Sequence, residues 1–362
     1  MAEFEIVDSV FLNSNKRVER QTVDSQVLEV FEHENAVFTA DPDAFLERIH
    51  RDTRPSGNRL HDSALIIKEP GDSPTYCVAS QPPFPAALLP KEGNPNSYNI
   101  PVKAYFVDRI NRARGLLAPD GKPMSTLIGS APDRDHWPMF SLTNRLKIFR
   151  GDFIPHAKRL INVMKTWGYE GGYFFGVSRG AVVGAAALAA ANRENIDSLG
   201  AVLISPINFK NEAFFMPAVN FARDFKPGTK PKDLSGHWWD DGPEVMLHLQ
   251  KKYGDGSYIG NYLTTNVFSS GIGYSQGKFG ENIKTAGRHN IPVAIGCGER
   301  NAMTDGLIEA LQNDAETLQI AGRGLIKVFV AHGPASGHGF TENQLAYNAI
   351  ISEGFGFLQE AK

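Results

Sequence analysis

The stretch GYFFGVSRGAVVGAAALAAAN, residues 172–192, decides how this chain folds. Its first part, Gly172–Val177, is aromatic and apolar and predicts a buried strand. The small residues of Arg179–Asn192 predict a helix that can lie close to a sheet. The two parts meet at GVSRG, which matches the pattern Gly-x-Ser-x-Gly. On such a sharp turn the Ser178 hydroxyl stands above the sheet at the positive end of the helix, so Ser178 is the predicted nucleophile.

A second segment, Gly273–Gly277 with the sequence GYSQG, matches the same five-residue pattern. Its surroundings differ, because the preceding residues 268–272 make a poor strand and the following residues 278–280 make a poor start for a closely packed helix. We therefore predict that Ser275 is a loop residue within an insertion and that Ser178 carries the chemistry.

Strands and helices alternate along much of the chain. Strands are predicted at residues 64–68, 76–80, 126–130, 172–177, 199–205, 291–298 and 324–330, and helices at residues 102–117, 152–167, 179–192, 305–318 and 341–358. Such alternation predicts an α/β fold, in which a mostly parallel sheet is covered by helices on both faces. Residues 1–60 show short polar and apolar alternations, which predict short antiparallel strands.

A histidine near the C-terminus suits the role of general base. His338 stands between two glycines, on the loop after the last predicted strand and 160 residues after Ser178. The ordinary pKa of imidazole, about 6.5, lets it accept and return a proton near neutral pH. His332, at the end of that strand, is the competing candidate, whereas His237 and His248 are expected to be surface or packing residues.

Three of these segments together resemble the α/β-hydrolase superfamily: residues 172–192, Gly337–Gly339 and the strand Ile291–Gly298. The resemblance spans roughly residues 60–362. It implies the α/β-hydrolase fold, with a core formed by residues 61–206 and 286–362 and a cap or lid formed by residues 207–285. Residues 1–60 would be part of the sheet or appended to it.

The resemblance leaves the acid of the catalytic triad open. In many members the strand equivalent to Ile291–Gly298 ends in Gly-x-x-Asp, whereas this chain has Asn301 where the aspartate is expected. An asparagine can orient an imidazole but cannot stabilise an imidazolium by charge. Glu299 and Asp305 are the nearest carboxylates. We predict Glu299 as the acid, because Asp305 is expected to cap the following helix.

The resemblance also implies an oxyanion hole built from two backbone N–H groups. One belongs to Arg179, directly after the nucleophile. The other belongs to the loop after the strand at residues 76–80. Since Pro82, Pro83 and Pro85 have no N–H group, Gln81 or Phe84 must donate there, and Gln81 is the prediction. The loop at residues 129–131 is the alternative, although it leaves too few strands before the nucleophile.

The predicted cap is rich in aromatic residues, and this composition has two interpretations. The side chains could line a pocket for an apolar acyl or aromatic group, or they could pack the small core of the cap itself. The members of this set are Phe209, Phe214, Phe215, Met216, Phe221, Trp238, Trp239, Tyr258, Tyr262 and Phe268. Glycines such as those at 254 and 256 could make the cap a gate.

Composition excludes several other classes of function. The 362 residues are 42% hydrophobic and 21% charged with a net charge of −3, which is typical of a soluble globular protein and disfavours a nucleic-acid partner. Motifs for phosphate, dinucleotide, calcium or zinc are missing, so no cofactor and no metal are expected. Cys77 and Cys297 are expected to be reduced thiols. The N-terminus lacks a signal stretch, and the run Gly180–Ala191 is shorter than the roughly 20 residues that span a bilayer.

The sequence therefore predicts a serine hydrolase. Its predicted location is the cytoplasm by default, and release from the cell by a route that needs no signal peptide stays open. It would cleave an ester or amide with an apolar acyl or aromatic part, such as a small or lipid-like ester, through an acyl-enzyme. An acyltransferase would use the same residues. The alternative from another class is a binding or structural protein without turnover, a component of an assembly or homo-oligomer, motivated by Asn301 and residues 1–60.

Overall fold

Hydrogen bonds between strands join eight β-strands of the described residues into one sheet. The computed structural model of the protein describes residues 5–8, scattered positions at 40–48, and residues 64–81, 99–129, 140–217, 219–220, 272–299, 301–332 and 344–361. The strands are β1 (Glu5–Asp8), β2 (Ala64–Ile67), β3 (Tyr76–Gln81), β4 (Ser125–Gly129), β5 (Gly171–Val177), β6 (Asp197–Ile204), β7 (Val293–Gly298) and β8 (Ile326–His332).

The sheet is mostly parallel, with an antiparallel strand at each edge. Its order is β1-β8-β7-β6-β5-β3-β4-β2, so that β5 lies near the centre. β1 pairs antiparallel with β8, and β2 pairs antiparallel with β4, whereas the other neighbours run parallel. The pairing of β1 attaches a piece of the N-terminal region to the sheet itself, beside the last strand.

Helices cover both faces of this sheet. In the described part of the chain they are α1 (Asn99–Ala113), α2 (Leu142–Phe149), α3 (Ile154–Thr166), α4 (Arg179–Ala191), α5 (Phe279–Arg288), α6 (Leu307–Gln312), α7 (Ala315–Gly322) and α8 (Gln344–Glu360). Side chains of α3 to α7 form one buried cluster, and side chains of α1 and α8 form the other. The fold class predicted from the alternation of elements is therefore confirmed.

The alternation of side chains along β5 explains how one strand serves both cores. Phe174 points into the cluster beneath α3 and α4, whereas its neighbours Tyr173 and Phe175 point into the cluster beneath α1 and α8. Successive side chains of a strand leave opposite faces of the sheet, and a central parallel strand is therefore apolar on both sides. This is why residues 172–177 form an uninterrupted apolar run.

The single helix predicted at residues 305–318 is wrong. The structure has a 3-10 turn at Ala302–Thr304, then α6, then α7. Asp314 causes the second break, since its carboxylate accepts a hydrogen bond from the backbone N–H of Thr317 at 2.8 Å and so starts a new helix. The expected capping role of Asp305 is also wrong, because Gly306, in a left-handed conformation, is the N-cap of α6.

No helix in the described ranges is both long enough and apolar enough to cross a lipid bilayer. Most of the predicted cap, from residue 221 to residue 271, lies outside the described residues. The division into core and cap therefore stays a prediction.

Candidate active site

The backbone at Ser178 forms a sharp turn between β5 and α4. Ser178 has φ 56° and ψ −119°, a combination that a residue with a side chain adopts at a cost of about 1–3 kcal/mol. Its N–H donates to the carbonyl of Ile204 on β6 at 2.8 Å, and its own carbonyl accepts from the N–H of Ala181 at 3.0 Å. The strained residue is therefore held from both sides, by the neighbouring strand and by the first turn of the helix.

The Ser178 side chain is not used to stabilise the helix that follows it. Ser178 occupies the N-cap position of α4, where a serine hydroxyl ordinarily accepts a hydrogen bond from the first helical turn. Here the hydroxyl makes no capping hydrogen bond. The residue is partly exposed, whereas Val177, Arg179 and Gly180 around it are buried. This combination of backbone strain, access and a hydroxyl not used for capping suits a nucleophile.

The small residues of the motif are required by the tightness of the turn. A Cβ atom at Gly176 would lie 2.2 Å from the carbonyl oxygen of Gly180 and 2.5 Å from the nitrogen of Ala181. Farther along the helix, a Cβ atom at Gly184 would lie 2.8 Å from a methyl group of Leu203 on β6. All three distances are below ordinary contact. The two at Gly176 are to backbone atoms, so the strand and the helix can approach this closely there only with glycine, whereas at Gly184 the Leu203 side chain would have to move.

The second match to the motif has a different geometry. Ser275 follows a helical turn at residues 272–273, not a strand, and it is buried. Its hydroxyl donates to the carbonyl of Ile272 at 2.7 Å and lies 3.0 Å from the side-chain nitrogen of Gln276, which donates to it. These bonds give Ser275 a structural role.

The carboxyl ends of the parallel strands bring several predicted residues to the same edge of the sheet as Ser178. Gln81, the last residue of β3, is buried and pairs with Gly176 in the register of β3 and β5. Glu299 follows β7 directly, and its N–H donates to the carbonyl of Ala331 on β8 at 2.9 Å. Ligands and catalytic groups of open α/β sheets gather at this edge.

Asn301, at the position where the triad acid was expected, serves the local backbone. Its side-chain oxygen accepts a hydrogen bond from the N–H of Met303 at 3.0 Å and so caps the 3-10 turn. The residue is buried, in contrast to Glu299 and Asp305, which are exposed. Asp305 also contributes its backbone carbonyl to Lys210 Nζ at 2.8 Å. Glu299 therefore remains the carboxylate nearest to the strand end.

The predicted base, His338, lies outside the described residues, as do Phe84, His237 and His248. The competing candidate, His332, is the last residue of β8, and its backbone pairs with Glu5 of β1. The loop at residues 130–131 is also outside the described part of the chain. The structure thus places Ser178, Gln81, Asn301 and Glu299 and leaves the base as a prediction from sequence.

A buried pair behind Ser178 was missed by the sequence analysis. The side chain of Arg179 is fully buried, and its Nη2 donates to Nδ1 of His156 on α3 at 3.1 Å. The imidazole packs between Phe140 and Phe153, with ring centroids 4.6 and 5.7 Å away. Burial, followed by the charges of Arg179 and Arg159, holds the pKa of His156 well below its ordinary value. His156 is therefore neutral and ties α3 to the first turn of α4.

Ser205 is a second residue that the sequence analysis missed at this edge. It follows β6 directly, has φ 47° and is fully buried. Its N–H donates to the carbonyl of Gly296 at 2.6 Å, while the preceding residue, Ile204, accepts from Ser178. The end of β6 thus contains a strained turn bonded to β7 and, through Ile204, to the turn at Ser178. No local motif marks it in the sequence.

The two cysteines are poor candidates for a nucleophile. Cys77 and Cys297 are free and buried, as expected for reduced thiols. Burial raises the pKa of Cys77, and it raises the pKa of Cys297 to about 12, so both thiols stay protonated near neutral pH. Within the described ranges, no group of three or more His, Cys, Asp or Glu side chains is arranged to hold a metal ion.

Similar solved structures include enzymes of several activities. An esterase from Pyrococcus furiosus matches 87% of this chain and 92% of its own, with 12% identity and a TM-score of 0.47. A monoacylglycerol lipase from Paleococcus ferrophilus matches 83% of this chain and 98% of its own, with 13% identity and a TM-score of 0.47. A haloalkane dehalogenase from Bradyrhizobium elkani matches 86% of this chain and 100% of its own, with 13% identity and a TM-score of 0.46.

No family model and no curated protein matches the sequence. The activity must therefore be inferred from the residues of this chain.

Proposed function

We propose that this chain, which has the α/β-hydrolase fold, is a serine hydrolase that cleaves a carboxylic ester or amide through an acyl-enzyme on Ser178. The observation that supports this most directly is the conformation of Ser178. At Ser178 a strained φ of 56° at the end of a central strand is combined with a partly exposed side chain that makes no capping hydrogen bond. Strain of this kind is retained where a hydroxyl must be presented.

The reaction begins with attack of Ser178 Oγ on the carbonyl carbon. His338 takes the proton of the hydroxyl and returns it to the leaving alcohol or amine as the bond to the acyl group breaks. Water, deprotonated by His338, then attacks the acyl-enzyme, which releases the acid and regenerates Ser178. In an acyltransferase, a second alcohol or amine would replace water at this step.

The negative oxygen of the tetrahedral intermediate is stabilised by the first N–H of α4, that of Arg179. The first N–H groups of a helix have no partner within the helix and lie at its positive end. The second donor comes from the end of β3, at Gln81, which the register places beside Gly176. Glu299 orients the imidazole and stabilises its charged form.

A non-catalytic binding protein is the second candidate, and one observation favours it. The side-chain oxygen of Asn301 is engaged by the N–H of Met303, so the residue at the usual position of the acid caps a turn. If Glu299 does not replace it, the imidazolium lacks a carboxylate, and turnover would be slower by several orders of magnitude.

Labelling with a fluorescent fluorophosphonate separates the two candidates. We expect the wild type and Ser275→Ala to be labelled and Ser178→Ala to remain unlabelled. A panel of p-nitrophenyl esters of increasing chain length then measures kcat/KM. Glu299→Gln should lower kcat at least 100-fold, whereas Asp305→Asn, a matched exposed carboxylate, should leave it unchanged. A wild type that does not label with a small probe would refute the hydrolase and favour the binding protein.

A further inference from the structure

The helix α2 presents an apolar stripe to solvent. Leu142, Leu146 and Phe149 are 72%, 50% and 41% exposed, whereas Ile148 is buried and anchors the helix to the core. The three exposed residues are spaced i, i+4 and i+7, which places them within about 60° of the helix circumference. A surface helix ordinarily turns such a stripe toward the core, so its exposure indicates a binding surface.

Basic side chains accompany the stripe. Arg145, Lys147 and Arg150 lie in or directly after α2, and residues 140–151 contain no Asp or Glu. Lys147 and Arg150 are exposed. We name the set Leu142, Leu146, Phe149, Lys147 and Arg150 the α2 surface. Leu and Phe beside the exposed cations Lys147 and Arg150 suit the boundary between the acyl chains and the anionic headgroups of a lipid layer, while the only nearby carboxylate in the chain, Asp152, accepts a hydrogen bond from the N–H of Ile154 at 3.0 Å.

A second exposed apolar group lies on the segment that follows β6. Phe214 and Phe215, 63% and 52% exposed, pack edge to face with ring centroids 5.7 Å apart. They follow β6, whose last residue, Ile204, accepts a hydrogen bond from the N–H of Ser178. The segment is tied to the end of α2, because the side-chain amide of Asn208 donates to the carbonyl of Gly151 at 3.2 Å.

Both exposed groups follow strands, β4 and β6, that run parallel to β5 and end at the same edge of the sheet as β5. α2 lies between β4 and β5 in the chain, and its C-terminal end contacts residue 273 near the start of α5. A lipid layer on the α2 surface would therefore bring acyl chains to the side of the molecule that carries the nucleophile.

We propose that the α2 surface, together with Phe214 and Phe215, docks this protein onto an anionic lipid surface. Leu142, Leu146 and Phe149 enter the boundary of the acyl chains, and Lys147 and Arg150 contact the phosphates. Docking requires no bond to be cleaved, so it is independent of the proposed hydrolase activity. The two proposals can therefore fail separately.

Sedimentation with vesicles tests the docking on the Ser178→Ala variant, which cannot turn over lipid. We expect it to partition onto phosphatidylglycerol vesicles and much less onto phosphatidylcholine vesicles. The pair Leu142→Ser and Leu146→Ser should weaken partitioning at least tenfold. The pair Lys147→Gln and Arg150→Gln should weaken it about 25-fold, since each cation near an anionic surface contributes about fivefold.

The matched control is Leu318→Ser on α7, an exposed leucine with 41% exposure outside the α2 surface, which should bind like its parent. The urea midpoints of all variants should be unchanged, because the substituted side chains are exposed. Equal binding to both vesicle types, or unaltered binding after the leucine substitutions, would overturn the proposal. So would a dimer in light scattering that the leucine substitutions disperse without any vesicle binding, since the surface would then join two copies of the chain.

Discussion

Replacing Gly176 by alanine should separate the strand from the helix at Ser178. The added Cβ would lie 2.2 Å from the oxygen of Gly180 and 2.5 Å from the nitrogen of Ala181, and both are backbone atoms that cannot rotate away. The backbone must part by about 1 Å to restore ordinary contact. Overpacking of this kind lowers the free energy of unfolding by about 1–3 kcal/mol. A 1 Å displacement of Ser178 lowers kcat/KM about 100-fold.

Urea unfolding and p-nitrophenyl butyrate hydrolysis measure the two effects of Gly176→Ala separately. The matched control is Gly280→Ala in α5, where a Cβ would meet no atom within 4 Å. That variant should keep its activity and gain up to about 1 kcal/mol in stability, because alanine is the better helix former. If Gly176→Ala is as stable and active as the control, the tight turn does not position the nucleophile and the reasoning from its geometry is wrong.

Three further predictions concern stability. Burial and the charge of Arg179 hold the pKa of His156 well below 6.5, so the unfolded chain binds a proton that the folded protein excludes. Above about pH 6.5, His156 should therefore not affect the free energy of unfolding. As the pH decreases from 6.5, the free energy of unfolding should decrease by up to about 1.4 kcal/mol per pH unit. The variant His156→Asn should remove that slope from urea titrations between pH 5 and 7. In 1 M salt, which screens the ion pair of Asp314 with Lys284, Asp314→Ala should lower the free energy of unfolding by about 1 kcal/mol, because α7 loses its N-cap, while Asp314→Asn should recover most of it; equal losses in urea unfolding under that condition would contradict a capping role. Phe279→Ala should lower the free energy of unfolding by about 3–5 kcal/mol, since the ring is fully buried, and a loss below 1 kcal/mol would show that the site collapses around the missing ring.

The fold class and the sharp turn at Ser178 could be predicted because their signals are local. The apolar run before Ser178 and the small residues after it specify a strand, a turn and a closely packed helix, and these requirements lie within 21 consecutive residues. Context also separated Ser275 from Ser178, since a strand must precede the turn. The helix predicted at residues 305–318 was wrong because its apolar spacing continues across Asp314. The Asp314 side chain caps a new helix and so ends the predicted one, but it leaves the apolar spacing along the sequence unchanged.

By itself, the sequence determined the alternation of strands and helices and the position of one strained serine, because periodicity and glycine requirements act between neighbouring residues. Tertiary structure decided which distant groups meet. It paired Arg179 with His156, 23 residues away, and engaged the side chain of Asn301 with a backbone N–H while Glu299 remained exposed. It also turned the apolar stripe of α2 toward solvent. Burial and hydrogen bonding of this kind depend on how whole elements pack, and the spacing of residues along one element does not specify that packing.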